Sequence, residues 1–172
     1  PIRNFIREHM ATQIEEVYGR PDMIAGVATG AIGMGALVAD YMNLPFCYVR
    51  PEAKQHGRQN KIEGMVVENQ TVVVIEDLIS TGKSSLLAVE ALREANVNVK
   101  GMMAIFTYGF AVAEENFTKA DVSLHTLSNY DSLLKQAEKS RYISAKESKL
   151  LGLWRKGPST WDPAATPVSK KA

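Results

Sequence analysis

Two adjacent carboxylates close an apolar run and lead straight into a hydroxyl-rich turn: Val72-Val73-Val74-Ile75-Glu76-Asp77-Leu78-Ile79-Ser80-Thr81-Gly82-Lys83-Ser84-Ser85. The four residues before the acids are all β-branched, as at the centre of a parallel sheet. The residues after the acids read as a short loop entering a helix. A helix N-terminus presents unpaired N–H groups and the positive end of the helix dipole, and so binds phosphate. Gly82 lets the backbone approach an anion, while Ser80, Thr81 and Ser84 add hydroxyl donors. Helix capping alone would account for the hydroxyls. It does not account for two neighbouring carboxylates at a strand end, which repel each other unless something binds them. The chemistry implied is phosphate binding beside acids.

Gly82-Lys83-Ser84 also matches the end of a nucleoside-triphosphate loop, but that pattern needs a glycine where Asp77 stands. A carboxylate there would face the phosphates, and charge excludes the match. A second cluster is the polar stretch 50–63 (RPEAKQHGRQNKIE), with Arg50, Lys54, His56, Arg58 and Lys61 and no apolar periodicity except Ile62. Fourteen such residues are long for a connection in a compact domain, and loops of that length are usually functional or mobile. Arg, Lys and His donors on a moving arm stabilise charge that builds on a departing polyanion. Closing such an arm over a site also excludes water. The plain alternative is a solvated basic loop. A third candidate, Ala28-Thr29-Gly30-Ala31-Ile32-Gly33, comes after an apolar strand-like run and reads equally as a helix start or a tight packing contact.

Residues 76–84 resemble the phosphoribosyl-pyrophosphate (PRPP) motif of the type I phosphoribosyltransferases. In that family two acids hold the ribose hydroxyls and the following loop cradles the 5′-phosphate. The resemblance implies PRPP contacts from Glu76 and Asp77, through Leu78, Ile79, Ser80 and Thr81, to Gly82, Lys83 and Ser84. The run Tyr48-Val49-Arg50-Pro51-Glu52-Ala53-Lys54-Gln55-His56-Gly57 resembles the catalytic loop of the orotate phosphoribosyltransferases, Arg, then Lys four on, then His and Gly. It implies Lys54, His56 and Asp77 as catalytic residues, with Arg50, Lys54 and His56 on the pyrophosphate. Ala28, Thr29 and Gly30 take the place of the pyrophosphate loop, with a non-proline cis bond expected at Ala28-Thr29, and Ser80 and Tyr108 take the place of orotate contacts.

The same resemblance implies the reaction: phosphoribosyl transfer from PRPP to orotate, giving orotidine 5′-monophosphate and pyrophosphate in pyrimidine synthesis. Mg²⁺ is expected to arrive on PRPP rather than on protein ligands. A homodimer is expected, with the loop 50–63 acting in trans on the neighbouring site. Three departures from some members stand out: Pro51 where a second Lys stands, Gly30 and Ala31 where a Lys stands, and Tyr108 where an Arg lies nearby. The family also has a further N-terminal segment over the base, and this chain opens at Pro1 as though in mid-domain. Two other functions stay open: transfer to another base such as a purine, and a non-catalytic regulator that senses PRPP.

Positioning these residues requires alternating strands and helices. Ile2, Phe5, Ile6, Met10, Ile14 and Val17 predict a helix over 2–17. Strands are predicted at 23–28, 44–49, 65–67, 71–75, 101–107 and 122–127. The segment 29–35, with three glycines in seven residues, is predicted as a turn before a helical stretch 36–42. Further helices are predicted at 84–96, 111–119, 130–139 and 145–155, the last opened by a capping box of Ser144 and Glu147. The pattern predicts an α/β fold, a mainly parallel sheet flanked by helices; the resemblance implies that this fold is type I phosphoribosyltransferase-like, with a small hood region incomplete at the N-terminus. One domain is expected over 1–156, then a disordered tail over 157–172 containing Pro158, Pro163 and Pro167.

A chain of 172 residues with 45% apolar and 23% charged residues has ordinary globular composition, which excludes a disordered polymer. Lys and Arg number 20 against 19 Asp and Glu, so bulk charge favours neither nucleic acid nor a membrane surface. Any anionic ligand must be caught locally. Cys47, the single cysteine, excludes a disulfide framework or a Cys-based zinc site and fits the reducing cytoplasm expected for this chain. No apolar run approaches the ~20 residues of a membrane span, and no signal peptide opens the sequence. His9 on a helix and His125 in a strand lack metal-ligand spacing, the methionines read as packing, and Trp154 is expected to pack the last helix.

Overall fold

Apolar segments with no polar face must be covered on both sides, and Met23–Val27 (β1) is buried at every position. The computed structural model describes residues 1–50 and 61–162. Ahead of β1 runs the helix Ile2–Tyr18 (α1), and after it come Gly30–Met42 (α2), Phe46–Val49 (β2) and Ile62–Glu63 (β3). Thr71–Ile79 (β4), Lys83–Glu94 (α3), Asn98–Thr107 (β5), Ala111–Lys119 (α4) and Leu124–Asn129 (β6) come next. The last helices are Tyr130–Lys139 (α5) and Ala145–Lys156 (α6).

The sheet order is β3-β2-β1-β4-β5-β6. β1 pairs in parallel with β2 and β4, β4 in parallel with β5, and β3 lies antiparallel on β2. Side chains alternate across β4 with the period of two that a strand imposes. Val73 and Ile75 pack with Met10 and Ile14 of α1 and Val38 of α2, while Val72 and Val74 pack with Val89 and Leu92 of α3. The chain leaves β1 in one direction along the sheet and β4 in the other. That reversal opens a crevice at their carboxyl ends, where ligands of open α/β sheets bind.

The chain forms two compact units, one ending at Leu127 and one beginning at Ser128. Within the second, Tyr130 and Trp154 bring α5 and α6 together with ring centroids 5.5 Å apart, and Arg155 pairs with Asp131 at 2.8 Å. The capping box of α6 forms as expected, with the Ser144 hydroxyl accepting the Glu147 N–H and the Glu147 carboxylate accepting the Ser144 N–H.

The α/β class and the parallel sheet agree with the sequence reading, as do the helices at 2–17, 111–119, 130–139 and 145–155 to within a residue. Several boundaries do not. The glycine-rich segment 29–35 is helical from Gly30, because two of its glycines serve close packing: a Cβ on Gly30 would overlap the Asp77 carboxylate, and one on Gly35 would lie 2.9 Å from the Phe46 ring. Residues 65–67 are not a strand. The strand lies instead at Ile62–Glu63, inside the polar stretch, where Ile62 packs on the core while Met65 stays 79% exposed. β4 does not stop at the acids but continues to Ile79, because β5 runs beside it, with Leu78 opposite Phe106 and Ile79 opposite Thr107. β6 begins at Leu124 rather than at 122. Pro158–Thr160, in the expected tail, makes a 3₁₀ turn, and residues 163–172 lie outside the described residues. Among the described residues no helix is long and apolar enough to cross a membrane.

Candidate active site

The carboxyl ends of β1 and β4 carry the first two candidate segments to one edge. After β1 the Ala28–Thr29 peptide is cis, as expected, and the Ala28 N–H donates to the Val49 carbonyl at 2.8 Å. α2 starts at the next residue, without a side-chain cap. The Asp77 carboxylate lies against that first turn: a Cβ on Gly30 would overlap Asp77 Oδ2. Only glycine leaves room there, and a carboxylate gains from the N-terminal end of a helix dipole.

Glu76 and Asp77 occupy different surroundings. Asp77 is exposed, and its Oδ1 accepts the N–H of Leu78 at 2.7 Å. Glu76 is buried, its Oε1 accepting the Asp77 N–H at 2.9 Å and its Oε2 the Ser85 hydroxyl at 2.8 Å. Burial, with the adjoining Asp77 carboxyl, pushes Glu76 from 4.5 to about 7. Burial thus favours the protonated form of Glu76, and that proton relieves the repulsion expected between the paired acids.

The loop after β4 turns into α3 at Gly82, a buried residue at φ +76°. A Cβ there would meet the Phe117 ring at 2.5 Å. Asn116 Nδ2 donates to the Thr81 carbonyl at 2.9 Å, and Lys83 and Ser84 open α3 as exposed residues. Ile79 sends its side chain into the core, while its carbonyl accepts the Tyr108 N–H at 3.1 Å. Tyr108 itself belongs to an aromatic group at the end of β5, edge-on to Phe106 at 5.5 Å and stacked on Phe110 at 5.4 Å. At the end of β2 the Arg50 N–H donates to the Lys61 carbonyl at 2.8 Å. Its guanidinium donates to the Tyr48 hydroxyl at 3.3 Å and lies 3.7 Å from the Glu63 carboxylate. Lys54 and His56 lie outside the described residues.

Two helix N-termini, α2 and α3, therefore flank one exposed carboxylate. That suits a ligand with phosphate at both ends and hydroxyls between. The profile of the phosphoribosyl transferase domain matches residues 2–123. The chain belongs to the phosphoribosyltransferase family. The orotate phosphoribosyltransferase of Cytophaga hutchinsonii is 53% identical over 159 residues, 92% of this chain and 76% of that protein. Among solved structures, orotate phosphoribosyltransferase from Aeropyrum pernix matches at TM-score 0.65 and 24% identity, covering 77% of this chain and 74% of that one. Adenine phosphoribosyltransferase from Leishmania tarentolae matches at TM-score 0.61 and 20% identity, covering 75% and 71%. Both likenesses concern the fold alone.

Three residues that position the site in this phosphoribosyltransferase escaped the sequence reading. Ser85 falls on the buried stripe of α3 with Leu86, Val89 and Leu92, so a hydroxyl on an apolar helix face was its signal. Asn116 and Phe117 carry no local signal, since they act on a loop more than thirty residues earlier in the chain. Among the described residues no group of three His, Cys, Asp or Glu side chains is placed to hold a metal.

Proposed function

We propose that this phosphoribosyltransferase transfers the 5-phosphoribosyl group of PRPP to orotate, forming orotidine 5′-monophosphate and pyrophosphate. The observation that carries the reading is the Asp77 carboxylate seated at the first turn of α2, with the α3 N-terminus beyond it. The choice of orotate rests on the 53% identity to a relative of that name. In the proposed reaction the bond from ribose C1 to pyrophosphate oxygen breaks as the bond to a ring nitrogen of orotate forms on the opposite face, and the proton that nitrogen carried passes to the departing pyrophosphate. The leaving group keeps the electron pair, and C1 is inverted. Asp77 stabilises the positive charge that builds on the ribose, and the 80–84 loop holds the 5′-phosphate. N–H groups of the α2 first turn, with Arg50, Lys54 and His56, receive the charge on pyrophosphate.

Mg²⁺ keeps several waters and binds through one or two carboxylates plus substrate phosphates, so a single exposed carboxylate, Asp77, fits an ion brought in on PRPP. Bound there, it would supply charge neutralisation to the pyrophosphate. We further propose a two-fold homodimer in which the 50–63 loop serves the neighbouring site, working in the cytoplasm where the buried thiol of Cys47 stays reduced. The test is incubation with PRPP, Mg²⁺ and each of orotate, adenine, hypoxanthine and uracil, scored for pyrophosphate release. Release with orotate alone is expected. Release with a purine instead would replace the acceptor, and PRPP binding without release for any base would make the protein a sensor.

A further inference from the structure

We propose that Asn116 is a positioning residue for phosphate binding: from α4 it holds the Thr81–Gly82 peptide with its N–H turned into the loop that receives the 5′-phosphate. The proposal rests on the reading of residues 80–84 as a phosphate cradle. Asn116 Nδ2 draws the Thr81 carbonyl toward α4 with a 2.9 Å hydrogen bond. Among the described residues the one cis bond is Ala28–Thr29, so the Thr81–Gly82 peptide is trans and its N–H points opposite to its C=O. A carbonyl held on the α4 side therefore sends the Gly82 N–H the other way. That N–H has no hydrogen-bond partner among the described residues, although Gly82 is buried.

The backbone alone does not choose this orientation. Gly82 sits at φ +76°, and glycine populates positive and negative φ about equally. A half-turn of the peptide would carry Gly82 to negative φ and put a carbonyl oxygen where the N–H stands. An acceptor would then face a phosphate, which has only acceptors to offer when fully ionised. A larger residue would limit that freedom, but its Cβ would strike Phe117 at 2.5 Å. α4 thus acts twice on one loop: Phe117 restricts position 82 to glycine, and Asn116 removes the ambiguity that glycine brings.

The test uses the full chain as wild type, Asn116→Ala and Asn116→Asp, the second keeping the shape while losing the donor. Ribose 5-phosphate and pyrophosphate are titrated separately by calorimetry, with the melting midpoint of each variant recorded. Glycine-selective ¹⁵N labelling tracks the Gly82 amide. Wild type is expected to bind ribose 5-phosphate with a large downfield shift of the Gly82 amide. Both variants should bind it roughly 10-fold or more weakly, as for a lost hydrogen bond to a charged group, and lose that shift while keeping pyrophosphate binding. If Asn116→Ala fails to fold, Asn116→Asp carries the comparison. Equal ribose 5-phosphate binding by wild type and a folded variant overturns the proposal and leaves the cradle standing. Parallel loss of both ligands with a lowered melting midpoint overturns it too, by reducing Asn116 to a structural tie. Wild type that does not bind ribose 5-phosphate overturns the cradle itself, and the proposal with it.

Discussion

Glu76 and Asp77 carry the same functional group on adjacent residues, and their surroundings give them different work. Asp77 faces the crevice as an exposed carboxylate, whereas Glu76 is buried with the Ser85 hydroxyl at 2.8 Å. Glu76 titrates near 4.5 when unperturbed and is pushed to about 7 by burial in the folded protein. Between those values the folded state holds a proton that the unfolded state has released, so stability falls as pH rises through that window. The span corresponds to about 3 kcal/mol, fully expressed above the upper value. Glu76→Gln has no charge to bury. Its stability relative to wild type should therefore rise steadily between pH 5 and pH 8, read from urea midpoints at each pH. An unchanged difference across that range would mean that Glu76 is solvated in the native state.

At the scale of elements, α2 positions the crevice because it lies unusually close to the sheet. A Cβ on Gly26 of β1 would lie 2.9 Å from the Ala31 carbonyl oxygen, a backbone atom of α2 that cannot step aside. A Cβ on Gly33, three residues into the helix, would meet nothing within 4 Å. Gly26→Ala should therefore cost about 1–3 kcal/mol through overpacking, and should lower turnover by moving Gly30 away from Asp77. Gly33→Ala should add about 0.5–1 kcal/mol, the usual gain for replacing glycine inside a helix. Melting curves of the two variants should shift in opposite directions; shifts of the same sign would contradict this seating of α2. The same contacts explain why the glycine-rich segment reads as a turn from its residues. Helix propensity disfavours glycine, and the packing that overrides propensity involves Phe46 and Asp77, which are distant in the chain.

For the whole molecule, the proposed dimer makes a quantitative prediction. In the proposed mechanism Lys54→Ala removes a donor to the leaving group, and Asp77→Asn removes charge from the ribose site. Each homodimer should lose activity by ~10²–10³-fold, as when one transition-state donor is deleted. Unfolding and refolding an equal mixture makes about half of the dimers mixed, each with one intact site if the loop acts in trans. Activity should then return to about a quarter of wild type. If the loop acts in cis, every site keeps a lesion and the mixture stays inactive. A monomer by light scattering would dispose of the dimer before any assay.

The sequence by itself determined those features whose causes lie within a few residues of one another. The β-branched run 72–75 could only be a buried strand, and the Ser144–Glu147 capping box opens a helix through hydrogen bonds spanning three residues. The acids, turn and helix entry of 76–84 are contiguous, so the segment proposed to bind phosphate is legible from its residues alone. Tertiary structure decided the rest: which acid is buried, why residue 30 is glycine, where the edge strand at 62–63 pairs, and what holds the Thr81 carbonyl. Each of these depends on a neighbour supplied by another element. Asn116 reaches Thr81 across 35 residues, and Gly30 meets Asp77 only because β1 and β4 lie side by side. Burial and long-range hydrogen bonds arise from that adjacency, which no short window of sequence contains.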